Sequence, residues 1–159
     1  MNFINRINYR HIFLLLLLCI TLSAGAQTVN PKYNKTLADS LGADEYGMKM
    51  YVLVMLKAGS NNTSDKAATD SLFAGHLKNI RRLADVGKLA VAGPLETNNK
   101  GYRGIFILNS KTTEEARSLL ETDPAIKAKL LDFDLYGWYG SAALPMYLPF
   151  SKMIEKKSF

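Results

Sequence analysis

The 159-residue chain is poor in the residues that most often do chemistry: it has one cysteine, one tryptophan and two histidines. The cysteine, Cys19, lies in an apolar N-terminal run, so the rest of the chain has neither a disulfide nor a thiol nucleophile. That run, from Ile12 to Leu22, is eleven residues long, and a membrane-spanning helix needs about 20. No block of lysine and arginine gathers on one segment with interleaved aromatics, which argues against nucleic acid as a partner.

What is present at the start has the layout of a secretory signal peptide. Arg6 and Arg10 precede the apolar run, no acid accompanies them, and Ala24-Gly25-Ala26 supplies a small-residue cleavage site. Residues 1–26 are therefore read as a leader, with an uncleaved anchor as the alternative. Residues 27–47 form a polar arm, 48–140 the folded domain and 141–159 a C-terminal tail. The expected location is across the inner membrane, periplasmic or extracellular, with no stable membrane insertion once the leader is cut. Cleavage removes two of the 20 basic residues and none of the 14 acids, so the net charge falls from +6 to +4. It also removes His11, leaving His76 as the one histidine. One histidine and no cysteine argue against a zinc or copper site. A single histidine does not by count exclude a haem, but the expectation is no metal and no cofactor.

Within the domain, "MKMYVLVMLK" holds seven consecutive apolar residues from Met50 to Leu56, the mark of a strand buried on both faces. A helix is expected to start at Ser64 or Asp65. Leu72, Phe73, Leu77, Ile80, Leu83 and Ala84 recur at three- and four-residue spacing and make its apolar stripe. Lys78, Asn79, Arg81 and Arg82 then fall on the solvent side, and Gly87 ends the helix. Leu89–Ala92 is the second strand, closed by Gly93-Pro94, and "YRGIFIL" is the third. Thr112 and Glu115 have capping-box spacing at the start of a second helix. Asp123-Pro124 reads as N-cap and first residue of a further turn. "LLDFDLYGW" is the last strand, with Leu131, Phe133 and Leu135 on one side and Asp132, Asp134 and Tyr136 on the other.

Strand, helix, strand, strand, helix, strand is the α+β ferredoxin-like βαββαβ order, with an antiparallel sheet. Two helices cover one face of such a sheet. The first and third strands are apolar on both faces, so a second copy packed sheet to sheet is the expected cover, giving a homodimer. The alternative cover is the chain's own C-terminal tail.

The His76-Leu77 pair, "AGPL" at Ala92–Leu95, Asp123-Pro124 and the leading segment "LGADEYGMKMYVLVMLKAG" together resemble the YCII-related (YciI-like) family over residues 41–139, secreted members in particular. The resemblance implies a dimeric α/β barrel and a pocket holding a His/Asp pair suspected of catalysis. It also implies, for a few members, dehydrochlorination of hydroxylated aromatics.

On this reading His76 and Asp123 are the candidate catalytic pair. His76 sits between Leu72 and Ile80 on the buried side of its helix, where a carboxylate would help hold a charge on the ring. A core histidine with one satisfied hydrogen bond is the alternative. Asp123 can cap a helix with one oxygen and orient His76 with the other, as a triad carboxylate does. No nucleophilic serine or cysteine accompanies them, so proton transfer on a small molecule, lyase- or dehydrochlorinase-like, is the expected activity. A non-catalytic module that binds a small ligand is the other expectation. Gly93, Pro94, Tyr136 and Trp138 are the candidate substrate-binding residues. Asp132 and Asp134 are expected on a solvated edge, and Tyr102 and Arg103 on the surface.

Overall fold

The computed structural model describes residues 30–157; the leader, with Cys19 and His11, lies outside the described residues. From Lys35 onward the chain forms one unit. Its elements are α1 (Lys35–Leu41), β1 (Met48–Ala58), α2 (Lys66–Asp85), β2 (Leu89–Pro94), β3 (Tyr102–Leu108), α3 (Thr113–Leu120), α4 (Pro124–Lys127) and β4 (Leu131–Ser141). A 3₁₀ turn (Leu144–Tyr147) and α5 (Leu148–Ile154) follow. All strand pairs are antiparallel and the sheet order is β2-β3-β1-β4. This is the ferredoxin-like α+β fold, with the two longest strands, β1 and β4, paired over their whole length. Among the described residues no helix is long and apolar enough to cross a membrane.

Local chemistry explains the boundaries. Asp65 caps α2 by accepting from Ala68 N–H, and Gly87, at φ +69°, turns the chain out of it. Thr112 caps α3 by accepting from Glu115 N–H. The reciprocal half of the capping box is replaced: the Glu115 carboxylate takes Lys88 Nζ at 2.9 Å and Ser110 Oγ at 3.1 Å instead. Those bonds tie the start of α3 to the residue before β2. The β2 and β4 strands run on to Pro94 and Ser141, past the predicted ends, because ladder partners continue there.

Strand alternation divides the sheet. Val52, Val54 and Leu56 face the helices and pair with Gly137, Leu135 and Phe133 on β4. With Leu83, Leu89, Phe106, Leu108, Leu120, Ile126 and Leu131 they form the core; each large side chain buried there contributes roughly 1.5–3 kcal/mol. The opposite face carries Leu53, Met55, Ile105 and Ile107, all half-buried. The expectation that β1 is buried on both faces therefore holds for one face within a single chain. Tyr51, on the same side of the sheet, is the exception and is fully buried: Trp138 packs on its ring and its hydroxyl donates to Ser141 O at 2.9 Å. The tail reaches the outer strand: Tyr147 Oη donates to Ala90 O at 2.5 Å. Ala90 sits at the β2 register shift, so this bond satisfies a carbonyl on an edge strand.

The crossing of α2 and α4 depends on Gly75. A Cβ there would stand 2.9 Å from Pro124 Cγ, so only a bare α-carbon lets the helices approach this closely. A glycine inside an exposed helix costs about 1 kcal/mol relative to alanine, and here the close approach is its reason. Gly75→Ala should therefore not show the gain of about 1 kcal/mol that helix propensity alone forecasts. Urea unfolding of the two proteins measures this, and a full gain would refute a tight Gly75–Pro124 contact.

Candidate active site

Residues 47 positions apart meet at this crossing. Pro124, the first residue of α4, leaves Asp123 as its N-cap, and Asp123 Oδ1 accepts from Ala125 N–H at 2.9 Å and Ile126 N–H at 3.4 Å. Its second oxygen, Oδ2, lies 2.8 Å from His76 Nδ1 and accepts from Asn79 Nδ2 at 3.2 Å. Asp123 has no solvent exposure and His76 retains 7%. The two oxygens thus do the two jobs expected of them, capping with one and holding the ring with the other.

Asn79, expected on the solvent side, is buried and belongs to the network. Its Oδ1 accepts from Arg82 Nε at 3.2 Å and from an Arg82 terminal nitrogen at 2.8 Å. Arginine can only donate, so the amide must turn its NH₂ toward Asp123. Arg82 also donates to Thr122 Oγ1 at 2.8 Å, linking α2 to the residue before the cap. The signal for Asn79 was its spacing: three residues after His76, it shares that face of the helix, slightly to one side of the stripe.

Burial alone would push the Asp123 carboxyl up. The His76 hydrogen bond and charge, then Asn79 and the Ala125 N–H, outweigh it and hold the carboxyl below the usual carboxylate range. An ionised Asp123 has only lone pairs to offer, so His76 Nδ1 carries the proton of that bond. The ring lies against Phe106 (centroids 5.8 Å apart, 22° between planes) and meets the edge of Phe73 at 6.2 Å. Among the described residues no buried side-chain nitrogen or oxygen lacks a partner. The remaining nitrogen, Nε2, is the one His76 presents to the adjoining cavity.

That cavity is about 740 Å³ and opens between α2 and the helix-facing side of β1, β2 and β3. Phe73, Leu77, Ile80, Leu56 and Phe106 give it apolar walls, and Gly93 and Pro94 are among its lining residues. A Cβ on Gly93 would meet no atom within 4 Å, so the backbone there is bare toward open space. Phe73 and Leu77, expected in the core stripe, are instead about 40% exposed because they face this space. Arg81 and Arg103, expected on the surface, stand at the cavity as well. Tyr136 and Trp138 are elsewhere. Tyr136 pairs with Leu53 and Trp138 with Tyr51, which puts both on the opposite face of the sheet, and neither lines the cavity. Asp132 and Asp134 are on that other face too, where Lys57 Nζ lies 4.0 Å and 2.5 Å from them.

No protein-family model matches the chain, and no curated protein does. Among solved structures, the chain is similar to 5-chloro-2-hydroxyhydroquinone dehydrochlorinase (TftG) from Burkholderia phenoliruptrix AC1100, in complex with 2,5-dihydroxybenzoquinone. The identity is 24% over 57% of this chain and 93% of that one, with a TM-score of 0.38. A likeness at this level assigns no activity to the chain.

The lowered Asp123 carboxyl has a consequence for acid stability. Its contribution is fully present above the unfolded-state value near 3.9 and is lost as pH falls through the lower folded value. Asp123→Asn keeps a good N-cap but removes the charge. It should cost about 1–3 kcal/mol at pH 7, and the gap to the wild type should narrow below about pH 4. Thermal or urea melts at pH 7 and pH 3 test this; a gap that widens in acid would contradict it.

Proposed function

We propose that the protein is a small-molecule enzyme in which His76 Nε2 removes a proton from a substrate in the α2–sheet cavity and Asp123 orients the ring. The observation that carries this is the 2.8 Å His76–Asp123 pair at the wall of a cavity of about 740 Å³. A carboxylate on Nδ1 selects the tautomer whose lone pair is on Nε2 and stabilises the imidazolium formed when that nitrogen takes a proton. The electron pair left behind either delocalises into an adjacent carbonyl or ring, or forms a double bond as a leaving group departs with its own bonding pair. The second course is the lyase or dehydrochlorinase type of reaction that the YCII-related resemblance implies. Among the described residues no serine or cysteine lines the cavity, which favours proton transfer over a covalent intermediate.

The same reading takes the active form to be a homodimer, a dimeric α/β barrel. Its support is the half-buried apolar set Leu53, Met55, Ile105 and Ile107 on the side of the sheet away from the helices. The leader pattern supports export across the inner membrane, so the substrate would be met in the periplasm or outside the cell.

Chlorinated hydroquinones and acidic carbonyl compounds, incubated with the protein in D₂O, should show protein-dependent C–H exchange or chloride release by NMR and ion chromatography. His76→Gln should lower the rate about 10²- to 10⁴-fold with the circular dichroism spectrum unchanged. Binding of these compounds with no exchange or release by the wild type would favour a non-catalytic binding module. In sedimentation the wild type should run as a dimer, and Leu53→Lys with Ile107→Lys should give monomers; a wild-type monomer at micromolar concentration would remove the barrel.

A further inference from the structure

His76, Asn79 and Arg82 follow one another on α2 at three-residue spacing. Each is turned about 60° around the helix from the one before. The row therefore runs from the cavity wall, through a buried amide, to an exposed arginine. His76 lines the cavity, whereas Asn79 and Arg82 do not. What the far end of the row reaches is the carboxylate behind the ring. Asp123 Oδ2 serves two donors, His76 Nδ1 at 2.8 Å and Asn79 Nδ2 at 3.2 Å. The Asn79 amide is held in one orientation. Turned over, its oxygen would face Oδ2, and its NH₂ would face the two Arg82 nitrogens that donate at 3.2 Å and 2.8 Å. Arg82 is itself anchored by donating to Thr122 Oγ1 at 2.8 Å, one residue before the α4 cap.

We infer that Asn79 and Arg82 are positioning residues that limit how strongly Asp123 draws on the His76 Nδ1 proton. An oxygen shared between two donors holds each less strongly, and an amide whose oxygen is gripped by a cation is a better N–H donor. A carboxylate facing the ring alone would pull the Nδ1 proton toward itself and hold the ring as imidazolium once Nε2 had taken a proton. A base in proton transfer must take a proton and give it back in each turnover, so a tempered carboxylate suits it. The inference deepens the proton-transfer reading and rests on it for that purpose. The coupling between the residues rests on the hydrogen bonds alone.

The test reads the isotope-labelled ring nitrogens of His76 by NMR in the ligand-free protein, on the alkaline side of the ring's titration. His76→Gln assigns the signals by their loss. Asn79→Leu should move the Nδ1 resonance downfield, as its proton is drawn toward Oδ2. Arg82→Gln should move it in the same direction by a smaller amount. Because Arg82 acts through the amide, adding Arg82→Gln to Asn79→Leu should move it no further. Lys78→Gln removes a cation from an exposed position of the same helix and should leave the resonance in place. Arg82 is exposed, so Arg82→Gln carries the test by itself if Asn79→Leu does not fold. An Nδ1 resonance that stays put or moves upfield in Arg82→Gln would overturn the inference. So would an Arg82→Gln effect that persists in full in the double variant, or one that Lys78→Gln reproduces. A ring that responds as expected in a protein that exchanges no proton on any compound would sink the proton-transfer reading and leave the coupling standing. Turnover with an unresponsive ring would do the reverse.

Discussion

A carboxylate with no access to water has to be compensated from inside the protein, and Asp123 is compensated from two helices. The first turn of α4 supplies backbone N–H groups to one oxygen. The α2 helix supplies His76 and Asn79 to the other. Removing any one of these leaves a buried charge partly unpaired, which is costly at low dielectric. The requirement couples three features: Pro124 starting a short helix, Gly75 allowing that helix to touch α2, and His76 standing at the point of contact. Arg82 extends the network to solvent by fixing the Asn79 amide and gripping Thr122. The imidazole is held by a carboxylate and two aromatic rings before any ligand arrives, the preorganisation that proton transfer needs.

The sheet serves two environments at once. One face meets the helices and is filled by aliphatic side chains except where the cavity opens between α2 and the sheet. Phe73 and Leu77 satisfy the amphipathic pattern of α2 yet have no core to enter, so they become walls. The other face carries the half-buried aliphatic side chains of β1 and β3, the Lys57–Asp132–Asp134 cluster, and Tyr51 beneath Trp138. Near β4, Asp44 ties the segment after α1 to the sheet: it accepts from Tyr46 and Met48 N–H groups and from the Tyr139 hydroxyl. That last bond pushes the phenol up to about 12. Helix α1 is thereby anchored beside the domain whose leading arm the sequence pattern made it.

Much of the fold was legible because it follows from short-range rules. Apolar periodicity located the four strands and α2 to within a few residues. Asp65, Gly87, Thr112 and Asp123-Pro124 marked helix ends by the backbone groups they satisfy. The pairing of His76 with Asp123 came instead from the YCII-related resemblance; the residues by themselves said only that an N-cap aspartate has one oxygen left over and that a histidine among leucines needs a partner. Asn79 was misplaced because a helical wheel assigns polar residues to solvent and cannot see a carboxylate waiting on another helix. Tyr136 and Trp138 were misplaced because alternation tells which strand residues share a face, not which face holds the cavity.

Composition and pattern by themselves determined the element order, the antiparallel ferredoxin-like arrangement and the lack of thiol chemistry beyond Cys19, since each depends on residue type and neighbours along the chain. Only the tertiary structure decided that the cavity opens on the helix side of the sheet, and that Asn79 and Arg82 brace Asp123. It also decided that Arg81 and Arg103 are among the residues that line the cavity. Those are relations between segments distant in sequence, set by how closely α2 can approach α4 and the sheet, and no local rule carries that distance.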